Sequence, residues 1–143
     1  LRVLLDRIAA DLGFTASQLS ARSKATEWSP ERKAFVDASG NNRGWFDFRA
    51  DNLFHEARGQ LFALHGLLQA VRHDFEAVSE GSDLDAVWDR MESHIADGAR
   101  LNPWIVSNGA EEGVVTPDHL SVMGEKVLRA RANMVELREI LDR

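Results

Sequence analysis

The feature that most constrains this chain is an apolar stripe through residues 53–78. Leu53, Ala57, Leu61, Leu64, Leu68, Val71, Phe75 and Val78 recur there at spacings of four, four, three, four, three, four and three. A helix brings such positions onto one face, and that face must be covered by another element. A second stripe (Leu120, Met123, Val127, Ala130, Met134, Leu137 and Leu141) marks another long helix. Between them Leu84, Val87, Trp88, Met91 and Ile95 predict a shorter helix that Asn102-Pro103 ends. The expected class is mainly α: a helical bundle whose long helices pair with each other or with a second copy, making a homodimer. Gly59 and Gly66 fall inside the first stripe region. Each costs about 1 kcal/mol relative to Ala, so a closely packed neighbouring helix is expected beside them.

Composition narrows the function classes. The 143 residues contain no cysteine, which excludes disulfides, thiolate catalysis and cysteine-based zinc sites. No apolar run approaches the roughly 18 residues of a membrane span. A cytoplasmic location is therefore expected, with no membrane among the partners. A net charge of −6 argues against general affinity for nucleic acid. Charge is unevenly spread, however. Residues 1–50 hold eight Lys and Arg against six Asp and Glu, and the remainder nine against seventeen. The expected organisation is a small head over residues 1–50 and a helical body over 51–143.

Within the head, Leu1, Leu4 (or Leu5), Ile8 and Leu12 share one helical face, Gly13 reads as the end of that helix, and Thr15 as the cap of a second. Ser29-Pro30 reads as a cap followed by a first helical position. Residues 34–38 and 44–48 flank Ser39-Gly40-Asn41-Asn42-Arg43, the pattern of a β-hairpin, although residues 29–38 also satisfy a helix. Ile8, Ala9, Leu12, Gly13, Phe14 and Leu19 have the internal spacing of a helix-turn-helix. The run from Ile8 to Ser20 resembles the helix-turn-helix of arabinose-regulator-type proteins and, with the hairpin as a wing, winged helix-turn-helix transcription regulators. That resemblance implies a homodimeric regulator of double-stranded DNA. It would place Ser17, Gln18, Arg22 and Lys24 in the major groove and Arg43 on the wing. Ser23 stands where the motif usually carries a hydrophobe.

The run His55-Glu56-Ala57-Arg58-Gly59-Gln60-Leu61-Phe62-Ala63-Leu64-His65-Gly66 resembles the histidine-bearing box of histidine-kinase dimerisation hairpins. The resemblance implies a signalling module in which His55 accepts a phosphoryl group, Glu56 acts beside it, and a signalling protein is the partner. Gln60 replaces the proline usual in that family. A third reading is a non-enzymatic protein–protein interaction domain.

Enzymatic readings rank lower. His55, His65, His73, His94 and His119 lack the carboxylate-and-histidine spacing of a helical metal site: Glu56 and Asp74 lie one residue from His55 and His73, on other faces. No metal and no cofactor are expected. Arg58 and His65, seven residues apart, resemble the Arg and His pairs of helical ribonucleases. No nucleotide loop, nucleophile elbow or paired-acid motif is present. Trp45 and Trp104, beside turn residues, are candidates to line a ligand pocket.

Overall fold

In the computed structural model, which describes residues 1–24, 26–37, 48–75, 83–107 and 118–142, helix α1 (Arg2–Ser23) runs without a break through Gly13. Two local features sustain it there. The hydroxyls of Thr15 and Ser17 donate to the carbonyls of Asp11 and Gly13, four residues back, at 3.1 and 2.9 Å, so both are satisfied within the helix. The apolar stripe also continues across the glycine: Leu5, Ile8, Leu12, Ala16 and Leu19 are all buried. Packing of that face outweighs the roughly 1 kcal/mol that glycine costs a helix interior. The expected turn between two short helices is absent. Without a second, projecting helix there is no helix-turn-helix.

A two-stranded antiparallel ribbon follows, β1 (Thr26–Ser29) pairing with β2 (Ala34–Asp37), Ser29 opposite Ala34. Its turn places Lys33 at φ 47°, and the Ser29 hydroxyl accepts from the Arg32 amide at 3.3 Å. Ser29 therefore works in a turn and not, as its sequence context suggests, at a helix start. The wing expected from 34–38 pairing with 44–48 is not seen. Residues 34–37 are paired with the segment before them, and 38–47, Arg43 and Trp45 included, lie outside the described residues.

Three further helices complete the description: α2 (Phe48–Asp74), α3 (Asp83–Arg100) and α4 (His119–Leu141). Each runs antiparallel to its neighbours in space. Asp6 meets Arg138 and Ser23 meets Asp118 between α1 and α4. Arg90 meets Glu136 and Asp97 meets Lys126 between α3 and α4. Arg58 meets Ala99 and Arg72 meets Asp85 between α2 and α3. Thr15, 2.8 Å from the Gln60 amide, joins α1 to α2. The order around the bundle is α1, α2, α3, α4, with the most extensive packing between α1 and α4 and the least between α1 and α2. One continuous core fills the interior. Leu84, Val87, Trp88, Met91 and Ile95 of α3 are buried, as are Leu120, Met123, Val127, Ala130, Met134 and Leu137 of α4.

The long stripe of α2 is covered from within the chain, mainly by α3. Ala57, Leu61 and Leu68 are buried, Leu53, Leu64 and Val71 are partly buried against the core, Phe75 is exposed, and Val78 lies outside the described residues. Close approach occurs at Gly98 of α3, where a Cβ would collide with the Leu61 side chain and press on the Cβ of Lys126. Among the described residues nothing lies within 4 Å of a Cβ built at Gly59 or Gly66. Those two glycines face away from the bundle.

Candidate interaction surfaces

Residues expected to read DNA do not form one surface. Ser17 is turned back onto the Gly13 carbonyl, Gln18 is half-buried, and Arg22 is buried at 4% exposure, whereas Lys24 is exposed just beyond the end of α1. A guanidinium inside the fold cannot serve in a major groove. The Ser23 hydroxyl donates to Asp118 Oδ2 at 2.6 Å, and Ser121 donates to the same oxygen at 2.6 Å. Asp118 Oδ1 accepts the Ser121 amide at 3.0 Å and so caps α4. A hydrophobe at 23 would leave that buried carboxylate short of one donor.

His55 is at the surface, its Nε2 3.5 Å from Asp51 Oδ1 one turn earlier and its ring edge-on to Phe54 at 5.5 Å. Glu56 is exposed, one residue along the helix and so on another face. The partner of His55 is thus Asp51, four residues back, a pairing visible in the sequence through its i, i+4 spacing. Arg58, paired with His65 in the ribonuclease resemblance, donates instead to Ala99 and Asn102 at the end of α3. Among the described residues no group of three or more histidine, aspartate or glutamate side chains is arranged to hold a metal ion.

The carboxyl end of α3 is fastened at two points. Arg58 Nε donates to the Ala99 carbonyl at 3.0 Å, filling one of the acceptors a helix end leaves open, and its Nη1 donates to Asn102 Oδ1 at 3.0 Å. Four residues on, Val106 is buried, the Ser107 amide donates to His119 Nδ1 at 3.1 Å, and the His119 amide donates to the Ser107 carbonyl at 3.1 Å. Between these fastenings Trp104 stands 103% exposed and Ile105 54% exposed. A cleft of 460 Å³ lies near this end, between α1 and α4, lined by Ser20, Ser23, Lys24, Ser121, Leu128 and Arg129. Trp104 is not among the residues that line it. Several of the cleft's polar groups are already engaged, Ser23 and Ser121 with Asp118 and Arg129 with Glu125.

A second apolar surface follows the outward side of α2. Positions 48, 55, 59, 62, 66 and 73 lie on one helical face, and they carry Phe48 (68% exposed), His55, Gly59, Phe62 (74% exposed), Gly66 and His73. Near the far end of the helix Arg72 is held by Asp85, Asp89 and Glu92 at 2.7–3.3 Å. The hydrogen bond to Asp89 is the chief reason its guanidinium holds its proton more tightly than usual. That cluster fastens α2 to α3.

Fold and surfaces together define a four-helix bundle that assembles no metal-binding cluster among the described residues. It does present bare aromatic side chains along one helix and at one end. The chain belongs to a family described as an uncharacterized protein conserved in bacteria (DUF2333), whose model matches residues 2–143. No curated protein and no solved structure matches the chain. Membership in that family, with the unbroken α1, corrects the resemblance to winged helix-turn-helix regulators. It equally corrects the resemblance to histidine-kinase hairpins, the source of the phosphoacceptor expectation for His55.

Proposed function

We propose that the bundle is a non-enzymatic interaction module that associates with a second copy of itself through the outward face of α2. One observation carries this reading: Gly59 and Gly66, seven residues apart, bracket the exposed Phe62 on a face that no described residue covers. Each glycine weakens an exposed helix by about 1 kcal/mol, and nothing inside the described chain recovers that cost. Against an antiparallel copy of the same helix, Phe62 falls opposite Gly59 or Gly66 of the other copy. Either register seats a large side chain over a glycine, in the manner of a knob in a hole. Among the described residues this face presents two large exposed apolar side chains, Phe48 and Phe62, where a standard stable interface buries roughly 800 Å² per partner, so the association is weak and reversible.

Sedimentation equilibrium over a concentration series tests the reading. Wild type should show concentration-dependent dimerisation, and Phe62→Ser should be monomeric throughout. Gly66→Ala should give a more stable monomer, by about 1 kcal/mol, and a weaker dimer. Wild-type protein that stays monomeric at high concentration, or a Gly66→Ala variant that dimerises more tightly, would overturn it.

A further inference from the structure

We infer that the self-associating face carries a bridging site for a divalent transition-metal ion such as zinc, with Asp51 and His55 of one copy and His65 of the other as ligands. The inference rests on the self-association proposed above and names an ion that would strengthen it. Asp51 and His55 stand one turn apart on α2, their Oδ1 and Nε2 atoms 3.5 Å apart and both side chains about half exposed. That gap is too long for a good N–H···O hydrogen bond. It does match two ligands on one tetrahedral zinc ion, whose arms of about 2.0–2.2 Å set ligand atoms roughly 3.4 Å apart. The Phe54 ring, edge-on at 5.5 Å, braces the imidazole. Imidazole with carboxylate suits zinc and its first-row neighbours. Within one chain no third ligand joins these two among the described residues.

A second copy supplies it, because the face is its own complement. Positions 48, 55, 59, 62, 66 and 73 are symmetric about a point between residues 60 and 61. An antiparallel copy centred there sets Phe48 opposite His73, His55 opposite Gly66 and Gly59 opposite Phe62, so every member of the face has a counterpart. With Phe62 opposite Gly66 instead, Phe48 reaches past Asp74, the last residue of α2, and finds none. The first pairing is therefore favoured. In it the partly exposed His65 of the second copy lies one residue from the level of His55, a rise of about 1.5 Å. His65 also lies on the correct edge. Asp51 and His65 are fourteen residues apart, within about 40° of four full turns, and a twofold antiparallel pair sets each edge of a helix against the same edge of its copy. Gly66, opposite His55, puts no side chain into the space between. Twofold symmetry makes two such sites per dimer, and water can fill the fourth position of each.

Sedimentation equilibrium in zinc chloride and in EDTA tests the site. Wild type should dimerise weakly in EDTA and roughly tenfold or more tightly with zinc, with two zinc ions bound per dimer. His55→Ala and His65→Ala, each compared with its own affinity in EDTA, should not respond to zinc. An equimolar mixture of the two variants should respond. The mixed dimer takes Asp51 and His55 from one chain and His65 from the other, which restores one complete site. Recovery of that kind belongs only to ligands shared between copies. A dimer indifferent to zinc would overturn the inference and leave the self-association standing, whereas a protein monomeric in both solutions would remove both. A zinc response that survives in either single variant, or that the mixture fails to recover, would overturn the shared ligand set.

Discussion

Gly98 and Gly66 occupy helix interiors in the same bundle and meet opposite surroundings. A methyl group at 98 collides with Leu61 and presses on Lys126, whereas one at 66 meets nothing among the described residues. Gly98→Ala should therefore lower stability by about 1–3 kcal/mol through overpacking, and Gly66→Ala should raise it by about 1 kcal/mol, both read from urea midpoints at monomeric concentration. From sequence alone the two are indistinguishable, since each is a glycine between helix formers. Arg58 makes a related point about charge. Its guanidinium holds a helix-end carbonyl and a side-chain amide together, a double contact that lysine's single ammonium cannot copy. Arg58→Ala should cost about 2 kcal/mol, and Arg58→Lys should recover only part of it in the same titration. The histidine-box resemblance drew notice to this arginine for chemistry, yet its measurable contribution is to hold residues 99–102.

Helix α1 shows how local signals and periodicity compete at the level of an element. Gly13 followed by Thr15 is a proper stop and start by local rules, yet Leu5, Ile8, Leu12, Ala16 and Leu19 keep one stripe across it, and the stripe prevailed because α4 covers it. Gly13 lies under the side chain of Arg131, whose Nε donates to the Ala9 carbonyl at 3.2 Å. If α1 is continuous in solution, Gly13→Pro should cost about 3 kcal/mol or more and lower the far-ultraviolet helix signal, whereas a true turn at 13 would absorb it. The other helices were legible because their stripes ran uninterrupted: every inward position expected in α3 and the six between Leu120 and Leu137 in α4 are buried. The ribbon was only half legible, as residues 34–37 do form a strand but pair backwards, not forwards. The outward face of α2 was hidden from sequence reading altogether. Phe62 and its flanking glycines acquire meaning only once another side of the same helix is known to be spent on the core.

For the molecule as a whole, one core joins all four helices, so unfolding should be a single cooperative transition. Buried Trp88 and the far-ultraviolet signal should report the same midpoint; separate midpoints would mean that α1 detaches from the rest. The ion pairs of Arg90 with Glu136 and of Arg138 with Asp6 join exposed or half-exposed side chains, and such pairs contribute about 0–1 kcal/mol each. Moderate salt should accordingly shift the melting temperature by only a few degrees. The salt link between Arg2 and Asp142 has a geometric corollary of another kind. It brings the first and last turns of the chain side by side, at the pole opposite Trp104. Any tag or tether fused to either end would leave from one spot, about 30 Å from the aromatic pole by the rise of α1. The bundle can then hang from both tethers like a bell from its yoke, with its rim free to touch whatever lies beneath.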